Sequence, residues 1–266
     1  MAERLLQFLE IPERSAKPRR AGLTLARDYG IGYADAEAWM ESAGEFIDYI
    51  KLRHLFSLLM TDDPEDLNVR KIKLYRENDV HVNPGGIVFE IAFVQNKVDQ
   101  TFEALARAGF SAVECSENIV PMDLEDKIAG IQTAKRHGLN VMFEVGEKYP
   151  AGPLDVDLAT RDITTMFEND CDLVVVERSL IEQSLGERGE NPAAGRLEAL
   201  VRNVGHERLV WEAEAIPHQV WLIKTFGADV NLGPNLEPIY INKLEATRRT
   251  LSREGGYTWL ADQIKN

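Results

Sequence analysis

The chain is short of cysteine, histidine and positive charge, and it has no long apolar run. Its 266 residues include two cysteines, Cys115 and Cys171. Two thiols so far apart make neither a disulfide framework nor a metal-ligand spacing. Both fall in or beside apolar stretches, where a reduced cysteine is small core filler, and a cytoplasmic location is expected. Lysine and arginine number 30 against 44 acidic residues, for a net charge of −14. A nucleic-acid partner needs a basic face. The one basic cluster, Lys17-Pro18-Arg19-Arg20, is too short to supply it. No window approaches the ~18 apolar residues of a membrane span. The first ten residues mix charges into a short apolar pattern with no small-residue cleavage site, so no signal peptide is expected. No Ser-His-Asp arrangement or G-x-S-x-G elbow occurs, and no G-x-G-x-x-G follows the first strand. Of the five histidines, His81 opens a strand, His137 and His206 lie at helix ends, and His54 and His218 fall in helical stretches. None is assigned a catalytic role.

What the chain does have is alternation. After a short amphipathic helix and a Pro-containing lead-in over residues 1–20, brief apolar stretches alternate with helical ones. The stretches end near Asp28, Lys51, Glu90, Glu114, Glu144, Glu177, Glu212 and Asn231. Residues 80–90 read as a strand, a Pro84-Gly85-Gly86 break and an apolar run to Glu90. Gly109, Gly138 and Gly227 mark helix ends. Asp157 or Thr160 caps a helix running to about residue 170, and residues 184–195 read as a loop. A closing helix covers 237–251. Near-continuous Val/Ile/Leu strands between amphipathic helices predict parallel pairing with both faces covered. Eight such units in a length near ~250 residues predict one (β/α)8 TIM barrel domain over residues 1–266.

In that fold all the strand ends open on one mouth. They offer Arg27 with Asp28, Lys51 with Arg53, Glu90, Glu114, Glu144 with Lys148, Glu177 with Arg178, Glu212 and Asn231. Salt bridges and helix caps account for any single one of these. As a set, so many carboxylates repel one another unless cations hold them, and burying them unpaired is costly. Oxygen-only ligands suit Mg2+ or Mn2+ and not Zn2+. Metal, carboxylates and a lysine able to move a proton make an enolate-type site for a small anionic acid. The substrate stays open at this point.

Several segments also resemble one family. They are Lys17-Pro18-Arg19-x-x-Gly22-Leu23-Thr24-x-x-x-Asp28-x-Gly30, Ile47-Asp48-Tyr49-Ile50-Lys51, Pro84-Gly85-Gly86-x-x-Phe89-Glu90, and Gly109-Phe110-x-x-Val113-Glu114-x-Ser116. Further on come Glu144-Val145-Gly146-x-Lys148, Trp211-Glu212-Ala213, Gln219-x-Trp221-x-Ile223-x-x-Phe226-Gly227-x-x-Val230-Asn231-Leu232, and Leu244-Glu245-Ala246-x-Arg248-Arg249. In this order they resemble the phosphosulfolactate synthase family. The resemblance implies a barrel that adds sulfite to phosphoenolpyruvate with Mg2+, as in coenzyme M synthesis, and a homo-oligomer. It implies Lys148 as the acid that protonates C2 and Lys51 as a ligand of phosphate or sulfite. Glu114, Glu144, Glu177 and Glu90 are the implied metal ligands. Arg27, Asp28, Arg53, Ser116, Arg178 and Asn231 are the implied substrate contacts.

The chain departs from the family pattern in three loops. Leu52-Arg53-His54-Leu55 replaces a glycine-rich Gly-x-Gly-Thr after Lys51. Glu117-Asn118 follows Ser116 in place of an acidic residue and glycine. Arg178-Ser179-Leu180-Ile181 follows Glu177 where the family has a small residue, Arg, Glu, Ser and Gly. Glycine-rich loops cradle anions with backbone N–H groups, so arginine side chains are expected to take over that work here. The same enolate machinery acting on another small acid, and a non-catalytic relative like the plant heat-stress-associated proteins, are the alternatives.

Overall fold

The computed structural model describes residues 5–146, 148, 152–186 and 192–265. Eight strands run in chain order: β1 Thr24–Asp28, β2 Tyr49–Leu52, β3 His81–Asn83, β4 Ala112–Cys115, β5 Asn140–Val145, β6 Leu173–Val176, β7 Leu209–Trp211 and β8 Asn231–Leu236. The helices are α1 Tyr33–Ala43, α2 His54–Leu59, α3 Leu67–Glu77, α4 Gly86–Val94, α5 Val98–Arg107 and α6 Leu124–Arg136. They continue with α7 Val156–Glu168, α8 Arg178–Leu185, α9 Gly195–Val204, α10 Ile216–Phe226, α11 Ile241–Arg248 and α12 Thr258–Lys265. All ladders are parallel, and the strand order is β3-β2-β1-β8-β7-β6-β5-β4. The first and last strands in that order are consecutive in the chain, so the sheet curls into a (β/α)8 barrel. At the β3–β4 seam the Ser111 N–H donates to the Val82 carbonyl at 3.2 Å, and the Val82 N–H donates to the Ser111 hydroxyl at 3.1 Å.

Strand side chains alternate between two faces, and both faces here are buried. Leu23, Leu25, Tyr49, Ala112, Met142, Leu173, Val175 and Val210 pack together inside the barrel. Their strand neighbours, among them Ala26, Ile50, Val113, Phe143, Val174 and Trp211, pack outward against the helices. That double burial explains the unbroken apolar strands. Continuing the inner parity past each inner layer delivers Arg27, Lys51, Glu114, Glu144, Glu177 and Glu212 to the C-terminal mouth.

Local signals set the helix starts. Asp66, Asp123 and Asp155 accept from the N–H groups of Asn68, Asp126 and Leu158, relieving donors that have no partner within the helix. The α7 cap is therefore Asp155, two residues ahead of Asp157. Three further expectations differ. Residues 5–8 form turns instead of a helix. The run through Glu90 is helix α4, because an all-apolar segment carries no period to separate strand from helix. Residues 184 and 185 end α8, and a further helix, α12, follows the closing one; the expected loop at 187–191 lies outside the described residues. No helix among the described residues is long and apolar enough to cross a membrane.

The lead-in closes the opposite, basal end of the barrel. Arg14 pairs with Asp229 at 2.6 Å and Glu245 at 3.3 Å, and Arg19 pairs with Asp48 at 3.1 Å. The buried Arg248 guanidinium donates to the carbonyls of Leu23, Ala228 and Val230, tying β1 to the entry of β8.

Candidate active site

Three carboxylates meet at the mouth. Glu144 lies near the end of β5, Glu177 directly follows β6, and Glu212 directly follows β7. One oxygen from each lies within 4.8 Å of the others, and all three residues are buried. Burial, then the charges of Glu114 and Glu212, raises the Glu144 carboxyl to about 8. Burial, then a hydrogen bond with Glu177, raises Glu212 to about 9. Glu212 is also held from two sides. Its Oε2 accepts from the Arg178 N–H at 3.4 Å, and its Oε1 accepts from the Asn235 amide. An all-oxygen donor set on adjacent strands suits a hard divalent cation such as Mg2+ or Mn2+.

Beside this cluster, Lys51 Nζ donates to Glu114 Oε1 at 2.7 Å. Burial alone would lower the Lys51 ammonium, but Glu114, Glu212 and Glu144 more than offset it and hold it above its ordinary value. Glu114 Oε1 also accepts from the Gly86 N–H at the start of α4, at 3.2 Å. The other oxygen, Oε2, is buried without a hydrogen-bond partner. Gly86 must be glycine here, because a Cβ would stand 2.1 Å from the Ser116 hydroxyl.

Cations occupy the other side. Arg27 lies one residue before the end of β1 with its guanidinium 4.7 Å from the Tyr29 ring centroid, and it donates to Asn235 Oδ1 at 3.4 Å. Arg53 is exposed at the entry to α2. The imidazole of His54 is pushed down by desolvation and then by the charges of Arg53, Arg27, Lys51 and Lys148. Lys148 is exposed after β5, and its charge also reaches Glu144. The mouth is thus acidic over β5–β7 and cationic over β1 and β2, and the charge of Lys148 acts on both His54 and Glu144.

Other expected site residues are engaged elsewhere. Asp28 has the parity opposite to Arg27 and faces α3. There it binds Lys71 Nζ at 2.6 Å and the Tyr75 hydroxyl at 2.8 Å, with both charges fully buried. Glu90 lies on α4 and grips the loop after β4. It accepts from the Ser116 hydroxyl at 2.6 Å and the N–H groups of Asn118, Ile119 and Val120 at 3.0, 3.0 and 3.1 Å. Burial would raise its carboxyl, but these bonds win and hold it low. Ser116 is spent in the same contact. Asn231 sits at the basal end, accepting from the Leu23 N–H at 2.9 Å and donating to the Glu207 and Leu209 carbonyls. The Arg178 side chain is half-exposed on the rim, paired with Glu214 at 3.1 Å and Glu182 at 3.6 Å. Two contributors carried no role in the sequence. Glu212 was visible as a strand end. Asn235 was hidden because the last apolar stretch reads as ending near Asn231, yet β8 begins there and runs on to Leu236.

A profile of the (2R)-phospho-3-sulfolactate synthase family matches residues 12–254. The phosphosulfolactate synthase of Methanothermobacter thermautotrophicus is 34% identical over 246 residues, covering 90% of this chain and 93% of that protein. That of Methanocaldococcus jannaschii is 30% identical over 234 residues, covering 86% of this chain and 92% of that protein. Among solved structures, 3-dehydroquinate dehydratase from Enterococcus faecalis superposes with a TM-score of 0.54 at 10% identity. That match covers 91% of this chain and 97% of the other, a likeness of fold alone.

Proposed function

Since the chain belongs to the (2R)-phospho-3-sulfolactate synthase family of carbon–sulfur bond-forming lyases, we propose that it adds sulfite to phosphoenolpyruvate at the barrel mouth, with Mg2+ as its cation, in a sulfonate biosynthesis of the coenzyme M type. The observation that carries this reading is the division of charge across the mouth. A substrate with a phosphate at one end and a carboxylate at the other has a matching half for each.

Glu144, Glu177 and Glu212 are the residues to hold the metal. When bound, Mg2+ supplies Lewis-acid stabilisation of charge developing on the substrate carboxylate. Arg27 and Arg53, with Lys51 behind them, bind the phosphate and steer the sulfite. Arginine suits this task because its planar fork matches tetrahedral oxyanions. The sulfur lone pair forms the new bond to C3. The C2=C3 pair moves toward C2 and its carboxylate, giving an enediolate. The Lys148 ammonium then transfers a proton to C2, and solvent reprotonates the amine, which is exposed. The phosphate stays on C2, and no oxidant or further reactant is needed.

Purified protein incubated with phosphoenolpyruvate, sulfite and Mg2+ tests this. A new phosphorus resonance should grow as phosphoenolpyruvate disappears, and EDTA should stop it. No consumption, together with no thermal shift from phosphoenolpyruvate, would overturn the proposal.

A further inference from the structure

We propose that Asn235 is the positioning residue that ties the metal-binding half of the mouth to its anion-binding half. β8 is the strand between β7 and β1, so its mouth end stands between Glu212 and Arg27. Asn235 reaches both. Its amide nitrogen donates to Glu212 Oε1, and its oxygen accepts from Arg27 Nη1 at 3.4 Å. Only a carboxamide offers two donors and an acceptor on one short planar group. Aspartate cannot donate to Glu212, and lysine cannot accept from Arg27. The partners also fix which way the amide faces.

The backbone is bent to put it there. Leu232 pairs with Thr24 and Leu236 with Ala26, so four residues of β8 advance where β1 advances two. Such a bulge re-aims a side chain. Gly233 makes the bend with φ of +138°, where a Cβ would lie 2.3 Å from the Leu25 carbonyl oxygen. The bulge spends two residues of strand pairing to bring Asn235 to the rim.

This inference rests on the proposed metal and anion halves, and its test separates the two. Mn2+ binding is followed by electron paramagnetic resonance and inorganic phosphate binding by calorimetry, without turnover. Asn235→Ala should weaken Mn2+ about 10-fold, the effect of losing a partner that orients a ligand, and should weaken phosphate as well. In an Arg27→Ala background, Asn235→Ala should have no further effect on phosphate while keeping its effect on Mn2+, since contacting residues are non-additive and independent ones add. Asn235→Ser, too short to span both partners, gives the same readout if the alanine variant does not fold. Unchanged Mn2+ affinity, or an equal loss of phosphate with and without Arg27, would overturn the role of Asn235 alone. Failure of the wild-type protein to bind Mn2+ would overturn the metal half and this inference together.

Discussion

Glu144 and Glu212 hold their protons toward neutral pH because burial and neighbouring acids both oppose ionisation. A cation that replaces those protons removes both penalties. Glu212→Gln deletes one of three charged donors and should weaken Mn2+ binding by about 100-fold or more, beyond the usual cost of an outer partner. Lys148 makes a different prediction. Lys148→Ala should lower kcat by about 10²–10⁴-fold, the range for a lost general acid, while Mn2+ affinity stays within about twofold because the lysine donates no lone pair to a metal. Steady-state kinetics beside metal titration separates the two residues. At this scale the sequence was legible wherever strand parity was unambiguous: Glu144 and Glu177 fall at the mouth, as does Lys51. It was illegible for Arg27 and Asp28, which are adjacent. One residue of register decides which faces the mouth and which is buried against Lys71, and sequence reading does not resolve strand ends to one residue.

The β4 exit shows how an element can borrow a charge that looks catalytic. Glu90 lies in the buried face of α4 and collects the hydroxyl of Ser116 and three consecutive loop N–H groups. These donors would otherwise be left unpaired beneath the mouth. Glu90→Ala should therefore destabilise the fold by about 3 kcal/mol, the scale of hydrogen bonds to a buried charge, and leave Mn2+ affinity nearly unchanged. Chemical denaturation and metal titration on the same sample check both parts. A large loss of Mn2+ affinity at wild-type stability would return Glu90 to the metal site. The apolar run from Ile87 to Val94 hid this arrangement. It fits strand and helix equally, and only the helix swings Glu90 away from the carboxylates of β5–β7.

Across the whole barrel, the mouth gathers charge that a ligand can reach, while the base pairs its charges among themselves, Arg14 with Asp229 and Glu245 and Arg19 with Asp48. At the base His81 stacks on Tyr49 at 4.7 Å and receives a hydrogen bond from Arg76 on Nδ1 at 3.2 Å. Desolvation, then Arg76, lowers its imidazole to about 4. Above the ordinary histidine value near 6.5 the ring is neutral folded and unfolded, and its contribution stands whole. As pH falls the unfolded chain takes up the proton first, so stability is lost progressively down to about pH 4. His81→Asn should remove that component. The melting-temperature gap between wild type and variant should narrow between pH 6.5 and pH 4, and a constant gap would contradict the assignment. The barrel and its order of units were readable because eight apolar strands each need cover on both faces. The basal network was not, because its partners lie as far apart in the chain as Arg14 and Asp229.

The β3–β4 seam makes the barrel a hoop with a clasp. Ser111 fastens it at the base, and the Lys51–Glu114 pair crosses the same gap at the mouth, joining the β2 side to β4. An anion that draws Lys51 toward itself therefore slackens the hoop at its weakest circumference. Amide exchange should start along His81–Asn83 and Ala112–Cys115 and spread outward. Ligand at the mouth should quicken that exchange while it slows the exchange of β5–β7, so that one binding event tightens one arc of the wall and loosens the arc beside it.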